Sequence, residues 1–230
     1  PMYNEQSIIK ENAKIISDYM EENFEDYEII FSDDGSIDGC GDIVRKMNLP
    51  NTKVIRNDVN MGKGYAVRMA MLESTGDVVM FTDADLAYGT DVIGRVRDEF
   101  ARSQGIDILI GSRNLSADGY EGYTFLRKLA SKAYIKVLCM TGGFKLSDSQ
   151  CGCKAFSGDA VKKIFPRCEV NRFAFDLECI LWANKYGMKI SEMPVKIINH
   201  RDSTVNVFRD SFKMIGDVRR MKKRIKSAQI

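Results

Sequence analysis

The feature that most constrains the fold is a repeated passage from a short apolar run to a charged tip, followed by a segment of helical period. Residues 28–32 end in Asp33-Asp34-Gly35-Ser36, residues 77–82 end in Asp83-Ala84-Asp85, and residues 107–111 lead into Ser112-Arg113. Between these runs, and around one more at 53–56, lie segments 5–23, 38–47, 63–74 and 91–102. In the first of them Ile8, Ile9, Ile15, Ile16 and Met20 recur at helical spacing. Such alternation predicts an α/β chain: a single Rossmann-like, mostly parallel sheet with helices on both faces. By the same rhythm Pro1-Met2-Tyr3-Asn4-Glu5 reads as the loop after a first strand. That strand is expected outside the numbering, or lost by truncation.

After residue 114 the rhythm changes. A Gly- and Asp-rich loop (114–122) gives way to a basic helix at 124–140, stopped by Gly142-Gly143. A polar turn at 147–152 precedes helices at 158–165 and 172–186. Residues 189–198 read as a strand that Pro194 assigns to a sheet edge. The tail, 205–226, is a basic amphipathic helix. No repeat or low-complexity linker appears, so 1–230 is expected to be one domain. Within it 1–114 serve the donor, 115–204 the acceptor, and 205–230 form the tail.

A chain of 230 residues with 44% hydrophobic and 29% charged residues can bury a full core without staples. Its net charge of +2 excludes a general electrostatic grip on nucleic acid. No apolar run reaches the roughly 18–20 residues that span a bilayer, so membrane contact is expected to be peripheral. Cys40, Cys139, Cys151, Cys153, Cys168 and Cys179 show no regular framework, and reduced thiols in a cytoplasmic setting are expected. A thiolate zinc site at Cys151-Gly152-Cys153 lacks partners, because His200 is the only histidine.

In an open parallel sheet, ligands bind beyond the carboxyl ends of the strands. Two such ends here carry paired acids and a third carries Arg113. Helix capping accounts for one Asp per turn but poorly for this coincidence. Asp83 and Asp85, two apart on a segment leaving the sheet, suit Mg²⁺ or Mn²⁺, which take few carboxylates plus water and phosphate oxygens. Such a metal would neutralise a diphosphate leaving group. Gly62-Lys63-Gly64 ahead of a helix is a candidate phosphate cradle. Neither a Walker motif nor a dinucleotide fingerprint is present.

Taken together, these segments resemble the family 2 glycosyltransferases of GT-A fold, and within them the polyprenyl- or dolichyl-phosphate sugar transferases. The likeness rests on Pro1–Glu5, residues 32–36, 60–64, 83–86 and 111–113, Asp148-Ser149-Gln150-Cys151-Gly152-Cys153-Lys154, residues 175–178 and Glu192-Met193-Pro194-Val195. The Gln-Cys-Gly stretch and the tail favour the dolichyl-phosphate glucosyl branch. The resemblance implies an inverting transfer of a hexose from a UDP- or GDP-sugar to a polyprenyl phosphate. It implies that Pro1, Tyr3, Glu5 and Asp34 hold the nucleoside, with Asp34 accepting from the base. Lys63, Asp83, Ala84, Asp85 and Arg201 complete the donor site, Asp83 and Asp85 near the metal, and Arg113 and Arg127 meet the acceptor phosphate. Ala87 stands where some relatives carry a third metal ligand. Thr204 replaces a usual lysine.

A phosphate nucleophile needs no strong base; Asp176 is the candidate where one is needed, and Glu178 reads more as a helix-start acid. The alternatives are transfer to a saccharide hydroxyl in surface polysaccharide synthesis, or a non-catalytic nucleotide-sugar-binding protein. Phe208, Phe212, Ile215, Val218 and Ile225 form an apolar stripe on the tail beside Arg219, Arg220, Lys222, Lys223, Arg224 and Lys226. Such a helix can lie on the cytoplasmic face of a membrane, or dock on its own domain.

Overall fold

The computed structural model describes residues 1–120, 125–199 and 207–229, with side chains for all of these except 125–131, 134 and 207–215. The elements run α1 (Gln6–Asn23), β1 (Ile29–Asp33), α2 (Cys40–Met47), β2 (Thr52–Arg56), α3 (Lys63–Glu73), β3 (Val78–Phe81), α4 (Asp91–Arg102), β4 (Ile108–Ser112) and α5 (Phe125–Gly142). There follow β5 (Lys154–Ser157), α6 (Gly158–Ile164), α7 (Phe175–Lys185), β6 (Ile190–Pro194) and α8 (Val207–Ser227). The expected α/β architecture is present, and its strands are mostly parallel. β1 pairs with β2, and β4 with β6, in parallel; β5 alone runs against its neighbours in the order β3-β5-β4-β6. The strands form two hydrogen-bonded sheets, β1-β2 and β3-β5-β4-β6, where a single sheet was expected.

β6 lies at the sheet edge, as Pro194 predicts. β5 was not predicted. It has four residues, and it opens with Lys154, whose charge hides a position only 1% exposed. α1 and α2 share one capping residue: Asp38 accepts from Gln6 N (2.8 Å) and from Cys40 N (3.0 Å). Ser157 Oγ caps α6 by accepting from Ala160 N (3.1 Å).

Apolar clusters cover both faces of the sheet. On one face Phe81, Ile108, Ile110 and Phe156 pack with residues of α3, α5, α6, α7 and α8. On the other, Leu109 and Ala155 pack with Val92 and Val96 of α4. α1 and α2 enclose a third cluster with Met2. Val218, Met221 and Ile225 of α8 belong to the first cluster and are at most 4% exposed. Val218 and Ile225 are therefore docked on the domain, and the expectation that they face a membrane is corrected. Phe208, Phe212 and Ile215 lie outside the described side chains. No helix among the described residues is long and apolar enough to cross a membrane.

Candidate active site

The acids at the ends of β1 and β3 meet in one chain of contacts. Asp34 Oδ1 accepts from Asn57 Nδ2 (2.9 Å) and Met61 N (2.9 Å), and Oδ2 accepts from Gly62 N (2.7 Å). Asp34 thus fastens the 57–62 loop at the start of α3. The next residue, Lys63, reaches Asp83 Oδ1 at 2.5 Å. Asp33, behind them, accepts from Ser36 N (2.9 Å) and pairs loosely with Arg56 (3.7 Å).

The Gly62-Lys63-Gly64 segment, expected as a phosphate cradle, also packs α3 onto the start of α7. Gly62 N is already spoken for by Asp34, and a Cβ on Gly62 would fall 2.5 Å from Asn171 O. One on Gly64 would fall 2.6 Å from Val170 O and from Phe175 Cβ. These glycines let α3 approach the start of α7, and the Lys63 side chain enters the site. Gly62 also sits at φ +105°, which favours glycine.

Asp83 and Asp85 repel each other. Burial raises the Asp83 carboxyl, but attraction and a hydrogen bond from Lys63 outweigh it and hold Asp83 below its ordinary value. Burial, then the Asp83 charge, pushes Asp85 above its ordinary value, opposed by the Ala87 N–H donating to Oδ1 (3.0 Å). Among the described residues no group of three or more His, Cys, Asp or Glu is placed to hold a metal. Two mutually repelling carboxylates, only one of them paired, still fit a hard divalent cation whose shell water and phosphate oxygens complete. Asn12 Nδ2 donates to Ala84 O (2.8 Å), and Asn199 Nδ2 to the carbonyls of Asp85 and Leu86 (3.3 and 3.0 Å), so the turn is braced on both sides.

The loop before β5 closes over Asp83. A Cβ on Gly152 would lie 2.4 Å from Asp83 Oδ2, and Gly152 N donates to Tyr88 Oη (3.3 Å). Beyond it, Lys154 Nζ donates to Asp176 Oδ1 (2.7 Å) and to Cys151 O (2.6 Å). Burial raises the Asp176 carboxyl, while Lys154 and then Lys63 pull it back. All six cysteines are free and buried, and burial raises the Cys151 and Cys153 thiols, which keeps them protonated.

Arg113 departs from expectation. Its fork is bound by Asp148, with Nε to Oδ2 at 2.7 Å and Nη2 to Oδ1 at 3.0 Å. Asp148 is in turn fixed by Glu192, which accepts from Ser147 N (2.9 Å), Ser147 Oγ (2.7 Å) and Asp148 N (3.1 Å). Asp148 thus already takes the bidentate edge that was expected to meet an acceptor phosphate. Glu178, fully buried, accepts from Glu169 N (3.1 Å) and Val170 N (2.8 Å) and pairs with Arg224, a structural role.

Of the predicted residues, Asp34, Lys63, Asp83, Ala84, Asp85 and Asp176 converge. Pro1 joins them within electrostatic reach of Asp83 and Lys63, and Glu5 within that of Asp85. Tyr3 is 45% exposed. Arg201 and the side chain of Arg127 lie outside the described residues. Lys154, Tyr88, Asp148 and Asn199 carry contacts to which the sequence assigned no role. Lys154 and Asp148 stood inside a quoted motif, and their types at its two ends were the available signal.

The acids gather beyond the carboxyl ends of strands, where open α/β sheets bind ligands, and the family match narrows the class of enzyme. The glycosyl transferase family 2 profile matches residues 1–165. The chain belongs to this family and is a glycosyltransferase. It is 30% identical, over 96% of its length and 72% of the relative's, to a dolichyl-phosphate beta-glucosyltransferase of Dictyostelium discoideum. It is also 30% identical to one from Trichomonas vaginalis, over 85% of its own length and 63% of that protein's. Among solved structures it resembles glucosyl-3-phosphoglycerate synthase from Mycobacterium tuberculosis in complex with Mn²⁺, uridine diphosphate and glucosyl-3-phosphoglycerate. That likeness has a TM-score of 0.69 at 16% identity, covering 100% of this chain and 79% of that one. The fold is GT-A.

Proposed function

We propose that this glycosyltransferase moves a glucosyl group from a UDP- or GDP-sugar to a polyprenyl phosphate of dolichyl type, with inversion. The likeness to the Dictyostelium dolichyl-phosphate beta-glucosyltransferase over 96% of the chain carries this reading. The contact chain from Asp34 through Lys63 and Asp83 to Asp85 supports it chemically.

In this reading Pro1, Tyr3, Glu5 and Asp34 hold the nucleoside, with Asp34 also fixing the loop beside it. Lys63, Asp83, Ala84, Asp85 and Arg201 take the diphosphate end. Mg²⁺ or Mn²⁺ held by Asp83 and Asp85 would supply Lewis-acid neutralisation of the leaving diphosphate, as the Mn²⁺ of the mycobacterial complex suggests. Lys63 adds a fixed positive charge to the same diphosphate. The outer edge of Arg113, with Arg127, orients the acceptor phosphate, whose oxygen displaces the diphosphate at the anomeric carbon. One displacement inverts that carbon, and a phosphate dianion is a competent nucleophile without a base. Lys154 holds Asp176 in place at the rear of the pocket. Exposed Arg219, Arg220, Lys222, Lys223 and Lys226 on α8 would bring the enzyme to an anionic membrane face, on the cytoplasmic side, where a lipid acceptor resides.

The test is a transfer assay with UDP-glucose or GDP-glucose, Mg²⁺ or Mn²⁺, and a short polyprenyl phosphate, with the lipid product identified by mass spectrometry. Nucleoside diphosphate release should require the lipid phosphate and stop on chelation. Transfer to a saccharide hydroxyl without lipid phosphate overturns the acceptor. Donor binding with no release over hours overturns catalysis.

A further inference from the structure

The carboxylate of Asp83 is approached on both of its oxygens. Oδ1 lies 2.5 Å from Lys63 Nζ. Oδ2 lies so close to the 151–153 loop that a Cβ on Gly152 would sit 2.4 Å from it. Asp85 is the more open of the two acids: the described contact of its carboxylate is Ala87 N on Oδ1 (3.0 Å). A hard divalent cation that uses both acids therefore finds one of them already neutralised by an ammonium group.

The two sides of this ion pair differ in freedom. Asp83 precedes a braced turn, where Asn12 Nδ2 donates to Ala84 O and Asn199 Nδ2 to Leu86 O, and Gly152 roofs it. The Lys63 backbone is as firmly set, because Gly62 N donates to Asp34 Oδ2 (2.7 Å) and Gly64 packs against Val170 O and Phe175 Cβ. What can turn is the flexible lysine stem, with three donors at its tip. The Lys63 side chain is 25% exposed and that of Asp83 33%, so the pair borders the pocket. Moving Nζ from Asp83 onto a diphosphate oxygen exchanges one charge-assisted contact for another. Leaving Asp83 with no new anion at hand would strand two half-buried charges. A dication arriving alone also meets the repulsion of the Lys63 charge.

We propose that Lys63 is a gatekeeper for the metal. It holds Asp83 until a nucleoside diphosphate draws the ammonium onto its own oxygens, and Asp83 is then free to face a divalent cation together with Asp85. This exchange rests on the reading of Asp83 and Asp85 as metal ligands, and it adds an order of events: the cation is taken up with the diphosphate, not ahead of it. It also makes the two ligands cooperative, each tightening the other by the same factor, as linkage requires. Lys63 supplies part of that factor, because only a chain whose lysine can leave Asp83 gains a carboxylate when the nucleotide binds.

The experiment measures Mn²⁺ binding directly, by loss of the free-ion paramagnetic resonance signal, with no nucleotide and with saturating UDP or GDP. The parent chain is compared with Lys63→Met, and Lys63→Gln takes its place if the methionine chain shows no cooperative thermal transition. In the parent, nucleotide should tighten Mn²⁺ binding by about tenfold or more. In Lys63→Met, Mn²⁺ alone should bind about tenfold more tightly than in the parent, because the competing charge is gone. The further gain from nucleotide should shrink by about fivefold or more. A lysine that stays on Asp83 throughout would let the variant gain equally with and without nucleotide. An unchanged nucleotide enhancement in the variant therefore overturns the inference and leaves the metal site standing, as does a parent that binds Mn²⁺ equally well with and without nucleotide. A parent that takes up no Mn²⁺ even with either nucleotide overturns the metal reading, and this inference with it.

Discussion

Replacing Lys154 by Met isolates the most buried ion pair next to the site. The Lys154 side chain is 1% exposed and that of Asp176 10%. Nζ donates to Asp176 Oδ1 and to Cys151 O. Methionine fills nearly the same volume but leaves a buried carboxylate without its counter-ion. Breaking one side of such a pair costs about 3–5 kcal/mol. At about 2–4 °C per kcal/mol for a domain of this size, the midpoint should fall by roughly 6–20 °C. The pH dependence is specific. Asp176 titrates above its ordinary 3.8 in the fold because burial outweighs Lys154 and Lys63. Its ionised form therefore costs stability, and that cost is lost as pH falls through the raised folded value toward 3.8. Removing Lys154 raises the folded value further and widens this window upward. The deficit of Lys154→Met should thus be larger at pH 8 than at pH 5, as read by urea unfolding at both. Adding Asp176→Asn should recover most of the loss, because the unpaired charge is gone. A Lys154→Met chain within about 1 kcal/mol of the parent at pH 8, or a deficit that grows on acidification, would refute the reasoning.

Three further outcomes follow from the same geometry. Asp85→Ala should abolish metal-dependent transfer while moving the thermal midpoint by only a few degrees, since the described contact of its carboxylate is Ala87 N; full activity would remove Asp85 from the metal site. Gly152→Ala should lower kcat about a hundredfold, because a Cβ 2.4 Å from Asp83 Oδ2 must displace that carboxylate; unchanged kcat with an intact fold would show that Asp83 can move without consequence. Arg219→Gln, Lys223→Gln and Lys226→Gln together, all exposed on α8, should weaken binding to anionic vesicles by about 3 kcal/mol, roughly a hundredfold, measured by co-sedimentation at low salt; equal binding would leave the tail without a membrane role.

What the sequence disclosed depended on whether the deciding contact was local. Asp34, Asp83 and Asp85 were legible because a strand tip is a local pattern and the sheet's direction sends such tips to one side. Lys154 was not, because its partner Asp176 lies 22 residues on and a buried lysine looks like a surface one. The same blindness hid β5, whose first residue is that lysine. Gly62 and Gly64 were recognised as special, but what crowds them is the backbone at 170–172, about a hundred residues away. Arg113 was placed at the right strand end, yet Asp148, which occupies its fork from 35 residues away, is held by Gln150 N and by Glu192 at the sheet edge.

The tail shows the ambiguity at its sharpest. An apolar stripe at helical spacing is equally suited to lipid or to protein, and only a complementary surface decides between them. Core residues of α5 and α7 supply one for Val218, Met221 and Ile225. Arg224 then pairs with Glu178, two residues from Asp176, so the docked half of α8 is tied to the helix that ends in the active site. The basic residues exposed on the same half are left as surface charge. If the proposed membrane attachment holds, a pull on these residues would reach α7 through this ion pair and the packing around it.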